Sequence, residues 1–150
     1  MHIEIDDLSR EAVRDLLRAH RQSMLGLSPP ESVHASNIDE LRGELTFWTA
    51  WDGNDLLGCG ALKQLTAESG EVKAMRTVPA HLRRGVARKI LEAILGEARR
   101  RGYRRVSLET GSNDAFLPAQ RLYESFGFVY CGPFEGYVED PHSVFMTLAL

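Results

Sequence analysis

Apolar positions recur along this chain with two periods, and the switches between them mark out its elements. His2-Ile3-Glu4-Ile5 alternates and predicts a short strand. Val13, Leu16, Leu17, His20 and Met24 then fall at helical spacing, which predicts an amphipathic helix capped by Asp7 or Ser9. His20 lies on the apolar stripe and reads as a partly buried structural histidine. Ser28-Pro29-Pro30-Glu31 breaks the helix, and a short second helix is expected over residues 37–41 with Asn37 as its cap. Residues 47–51, 56–65 and 71–78 are rich in strand formers. The turns between them are too short for a crossover helix, so they form an antiparallel meander. Trp48 and Trp51 fit core and cross-strand positions there.

After Pro79 the period changes again. Val86, Ala87, Ile90, Leu91, Ile94, Leu95 and Ala98 share one side of a long helix that stops at Gly102. Val106, Leu108 and Thr110 alternate as a strand. Residues 118–126 form another helix, with Ala119, Leu122, Tyr123 and Phe126 on one face and Gly127 at its end. A strand starts at Phe128-Val129-Tyr130, and residues 143–148 form the last one. The order β-α-α-β-β-β-α-β-α-β-β predicts an α/β fold, a mixed and mostly antiparallel sheet with helices on its faces.

Length and charge narrow the function. With 150 residues and a net charge of −3, the chain reads as a single domain over 1–150 with no need of nucleic acid or an anionic membrane as partner. It has neither an apolar run of membrane-spanning length nor a signal-peptide pattern, which points to the cytoplasm. Cys59 and Cys131 match no metal spacing; both read as reduced, core or near-core residues, and no metal is expected.

The stretch with the clearest chemistry is Val78-Pro79-Ala80-His81-Leu82-Arg83-Arg84-Gly85-Val86-Ala87. A strand ends at a proline, a basic loop follows, and small residues open a long helix. The free N–H groups and positive dipole end of that helix favour an anion. Gly85 and Ala87 let a phosphate approach the backbone, and Arg83, Arg84 and Arg88 add charge. The arrangement suits a pyrophosphate; a capped helix with solvated arginines is the alternative.

This stretch resembles the pyrophosphate loop of the GNAT superfamily of N-acetyltransferases, in which Gln or Arg is followed after two residues by Gly, one residue, then Gly or Ala. Gly85-Val86-Ala87 matches the end of that pattern, while Leu82 stands at its first position. Ala119-Gln120-Arg121-Leu122-Tyr123-Glu124-Ser125-Phe126-Gly127-Phe128 is similar to the family's later motif. There Phe116 occupies a position where many members carry Asn. The order of elements fits the same fold over nearly the whole chain.

The resemblance implies acetyl-CoA as co-substrate and a splayed parallel strand pair that receives its pantetheine arm. It implies backbone contacts from Arg76 and Val78, and a pyrophosphate held by Arg83, Arg84, Gly85, Val86, Ala87 and Arg88. Tyr123 stands where many members carry the acid that protonates the leaving thiolate. A base must also take a proton from the amine, and Glu71 is the candidate, ahead of Glu109 and of His34 in the region covering the acceptor. The expected acceptor is a small-molecule amine in a pocket closed by the 134–142 loop. Glu135, Glu139 and Asp140 on that loop either attract a cation or keep it soluble. The same loop or the last strand offers a surface for a homodimer.

Two other functions fit parts of the sequence. One is an acyl-CoA sensor without catalysis, against which Tyr123 argues. The other is nucleic-acid binding through the arginine-rich stretch 83–105, against which stand the acidic chain and the phosphates of coenzyme A that explain part of the patch.

Overall fold

The elements are β1 (His2–Ile5), α1 (Glu11–Leu27), β2 (Leu45–Asp52), β3 (Asp55–Thr66), β4 (Ser69–Thr77), α2 (Val86–Arg100), β5 (Arg105–Gly111), α3 (Leu117–Ser125), β6 (Val129–Cys131) and β7 (Ser143–Ala149), with 3-10 turns at Pro79–His81 and Asp114–Phe116. This computed structural model describes residues 1–29 and 45–150; the helix expected over 37–41 lies outside them. The other strands and helices follow the periodicity, with small shifts at their ends.

Seven strands form one sheet in the order β1-β2-β3-β4-β5-β7-β6. All neighbours are antiparallel except β4 and β5. That pair is parallel because its connection runs through α2, which is long enough to cross over the sheet.

Each face of the sheet carries its own apolar cluster. On one, Ile90, Leu91, Ile94 and Leu95 of α2 meet Trp48, Leu62, Val72, Val106 and Met146, with Tyr123 of α3 beside them. On the other, Val13, Leu16 and Leu17 of α1 meet Phe47, Trp51, Cys59 and Ala61. The period-2 alternation of β2 thus sends Phe47 and Trp51 to α1 and Trp48 and Ala50 to α2. Gly60 lets α2 lie close on β3: a Cβ there would stand 2.5 Å from Met75 Sδ and 2.8 Å from Ile90.

Two expectations need correcting. Neither Asp7 nor Ser9 caps α1, whose N-cap is Arg10 with no side-chain hydrogen bond. Leu8 adopts a φ of 64° at the bend between strand and helix, and Asp7 closes that bend by accepting from the N–H and hydroxyl of Ser9. Cys131 is exposed rather than near-core, because β6 is the edge strand and its three residues all face solvent.

Candidate active site

Strands β4 and β5 pair from Ser69↔Arg105 to Val72↔Leu108 and then part. β4 continues along β3 to Thr77, and β5 continues along β7 to Gly111. From Lys73 on, the side of β4 turned towards β5 therefore has no strand partner and remains available to an extended ligand. The expected splay is present. A bulge lies within it: between the pairs Cys59↔Arg76 and Ala61↔Lys73, β4 has one residue more than β3. Ala74 sits in this bulge at φ 53°, a left-handed conformation that is costly for a residue with a Cβ.

The backbone of Val78 is engaged within the chain. Its N–H donates to Leu57 O at 2.8 Å, and its carbonyl accepts from His81 N at 2.8 Å. Strand alternation directs Arg76's backbone the same way, towards β3, and turns Thr77's towards the opening. This corrects the expectation of backbone contacts from Arg76 and Val78: what Arg76 brings to the site is its side chain.

The loop after β4 ends at the N-terminus of α2. Arg83 and Gly85 take φ values of 63° and 80°, and the first helical bond joins Lys89 N to Gly85 O. The N–H groups of Val86, Ala87 and Arg88 precede it and have no helical acceptor. Arg83 and Arg84 are exposed. Arg88 donates to Ser125 Oγ at 2.9 Å and lies over the Phe126 ring, which ties this loop to the end of α3. Leu82, at the position where Gln or Arg is usual, points into solvent.

Tyr123 lies on α3, in the same apolar cluster as Val86 of α2. It is 6% exposed, with Phe128 packed edge-on at 5.7 Å. Burial pushes its phenol well above the ordinary value, so the hydroxyl keeps its proton at neutral pH. Gln120 Nε2 donates to Gly111 O at 2.8 Å and fixes α3 to the end of β5.

Glu71 sits on the opposite face, which α1 covers in part. It is 3% exposed and accepts from the Tyr137 hydroxyl at 2.7 Å, with Lys73 Nζ 3.8 Å away. Burial raises its pKa; Lys73 and the Tyr137 bond pull it back in part. These residues line an open cavity of about 570 Å³ together with Lys63 and Glu135. Glu109 shares this face and accepts from Ser143 Oγ at 2.9 Å. His34 lies outside the described residues.

Glu71 and Tyr123 thus stand on opposite faces of the sheet, on either side of the part of the molecule where β4 and β5 separate. Lys73 and Tyr137 escaped the sequence reading. The only trace of Tyr137 was an aromatic, with Phe134, in an otherwise polar loop; Phe134, Tyr137 and Phe145 pack together and hold the loop against the sheet.

The arginine-rich stretch is broken up by carboxylates. Glu97 binds both Arg100 and Arg101, Arg101 also reaches Thr46, and Glu68 lies near Arg104. Among the described residues no group of His, Cys, Asp and Glu could hold a metal ion, and no helix is long and apolar enough to cross a membrane.

Residues 10–128 match the acetyltransferase (GNAT) family. The chain is 58% identical to an uncharacterized N-acetyltransferase of Bacillus subtilis, YsnE, over the full length of both. It is 48% identical to an uncharacterized N-acetyltransferase of Escherichia coli, YedL, covering 99% of this chain and 94% of the relative. The crystal structure of a GNAT acetyltransferase from Elizabethkingia anophelis with acetyl-CoA bound superposes with a TM-score of 0.73 at 18% identity, covering 99% of this chain and 97% of that one.

Proposed function

The chain belongs to the GNAT family of acetyltransferases, and from that premise we propose that it moves an acetyl group from acetyl-CoA directly to the primary amine of a small-molecule acceptor. The observation that carries this reading is the parting of β4 and β5 after Val72↔Leu108, next to a helix N-terminus with unbonded N–H groups. An extended pantetheine arm fits along the free side of β4. The phosphates fit against the N–H groups of Val86, Ala87 and Arg88, with Arg83 and Arg84 adding charge. Gly85 allows close approach, since nothing lies within 4 Å of where its Cβ would be.

The chemistry then divides between the two faces. The amine arrives from the α1 face and loses a proton to Glu71, directly or through water; the raised pKa of this carboxyl makes it a better base than an exposed glutamate. The amine nitrogen forms a bond to the acetyl carbon, and the carbon–sulfur bond breaks. The sulfur leaves as a thiolate, which takes the proton of the Tyr123 hydroxyl; the nitrogen gives up its second proton as the amide forms, and that proton, passed through water, restores the phenol. A backbone N–H of β4 beside the opening supports the negative charge on the carbonyl oxygen during transfer. Glu109 and His34 remain candidates for contacts to the acceptor.

Isothermal titration with acetyl-CoA tests the reading, followed by thiol release with a panel of amines. Micromolar binding and amine-dependent thiol release are expected; no binding by the folded protein would overturn it.

A further inference from the structure

Arg76 is a cation that lacks a counter-ion among the described residues. Its Nε is buried without a hydrogen-bond partner, and so is Nδ1 of His20. These are the two buried side-chain polar atoms left unbonded among the described residues; both belong to the side of the sheet that α1 covers, and the charge of Arg76 reaches the imidazole of His20. The other group beside Arg76, the thiol of Cys59, already donates to Ala74 O at 3.3 Å. Leaving a buried donor unmatched costs about 1–3 kcal/mol, more when the group is charged. Two such atoms on one face of the sheet point to a ligand.

The backbone directs Arg76 to this position. Without the bulge at Ala74, strand alternation would send residue 76 to the α2 face. With the extra residue, Arg76 stands over the α1 face, where its Cα partner Cys59 packs under α1. β-Bulges re-aim side chains in this way. α1 passes over the same place, bringing His20, and its end is held near β5 by the bond from Asn113 Nδ2 to Leu27 O. The pair therefore lies beside the stretch where β4 has left β5, on the side from which an acceptor would arrive. Glu71 is not the counter-ion of Arg76: its carboxylate pairs with Tyr137 and Lys73 instead.

We propose that Arg76 and His20 form a subsite for a carboxylate, so that the acyl acceptor is a small amino acid or a similar molecule bearing both an amine and a carboxylate. A guanidinium offers a planar pair of donors that matches a carboxylate, and the imidazole Nδ1 supplies one more polar contact. The subsite deepens the acetyl-transfer reading and rests on it.

The test compares amino acids with their own carboxamides as acceptors in the thiol-release assay, on wild type, Arg76→Met and Arg76→Lys. Wild type should prefer the acids by at least tenfold in kcat/KM, about 1.4 kcal/mol. Arg76→Met should remove that preference and Arg76→Lys keep part of it. Equal use of acid and amide by wild type overturns the proposal, and so does an Arg76→Met variant that slows both alike. If neither series turns over, wild type is titrated with N-acetylated amino acids and with their amides while the His20 ring is followed by NMR. A response to the acids alone supports the subsite, and a response to neither or to both alike overturns it. Acetyl-CoA titration reads the parent assignment separately, because loss of that binding overturns the enzyme reading whatever the carboxylates do.

Discussion

The Tyr137 hydroxyl donates to the Glu71 carboxylate at 2.7 Å, so a loop between β6 and β7 helps set the charge of a residue in the middle of the sheet. Burial raises the pKa of Glu71, and this bond opposes the rise. If deprotonated Glu71 is the base, kcat/KM is high above its pKa and falls as pH drops through it. Tyr137→Phe removes a bond that favours the anion, so the acid limb should move to higher pH. A pH profile of kcat/KM measures this, and an unchanged limb would assign the base to another group.

Tyr123 is buried, protonated and beside the loop that opens α2. Tyr123→Phe keeps the ring and its edge contact with Phe128 but removes the proton. Turnover should fall by about 10²–10⁴, while the dissociation constant for acetyl-CoA stays within a few-fold. Single-turnover kinetics with titration separate the two quantities. Wild-type turnover by this variant would mean that the thiolate leaves without help from the phenol.

The fold was legible because each segment's period agreed with its surroundings: α2 carries its apolar residues on one stripe, and β2 alternates between two covered faces. The basic loop and Tyr123 were legible for a related reason, since both lie in contiguous motifs. What stayed hidden depends on tertiary contacts or on local backbone angles. Lys73 and Tyr137 meet at Glu71 only after the sheet has formed. The bulge at Ala74 leaves no mark in composition, yet it decides which face Arg76 occupies, and Leu8 closes the start of α1 with a backbone angle that no side-chain pattern announces. His20 read as one more member of an apolar stripe because its unbonded nitrogen and its cationic neighbour are both tertiary facts.

Gly85 separates backbone strain from ligand approach. A Cβ there meets nothing, but the φ of 80° is unfavourable for any other residue. Gly85→Ala should cost about 1 kcal/mol in thermal or denaturant unfolding. Gly85→Asp adds a carboxylate where phosphates are expected and should weaken acetyl-CoA by more than tenfold in titration calorimetry. Equal affinity for Gly85→Asp would move the phosphates away from this loop.

Gly60 sets the distance between α2 and the sheet. A methyl group there would press on Met75, Ile90 and Ile94 at 2.5, 2.8 and 3.0 Å. Gly60→Ala should destabilise by about 1–3 kcal/mol, as overpacking does. It should also weaken acetyl-CoA, because the helix that moves carries the phosphate-facing N–H groups. Denaturant unfolding and titration on one sample check both; a destabilised variant with unchanged affinity would mean that the N-terminus of α2 stays in place.

His20 gives the fold a specific weakness in acid. Burial, and then the charge of Arg76, push its pKa from 6.5 down to about 4. The folded protein therefore holds the ring neutral where the unfolded chain protonates it. The stability this contributes is present above pH 6.5 and is lost as pH falls towards 4, where the folded ring protonates too. Allowing for partial exposure, the loss is on the order of 2–3 kcal/mol. Many carboxylates titrate in the same window, so the informative quantity is the difference between wild type and His20→Asn, which keeps a polar atom but cannot protonate. Denaturant unfolding at pH 7 and pH 4.5 should show the variant gaining on wild type by that amount. A difference that does not change with pH would mean that the ring stays solvated and that Arg76 does not bear on it.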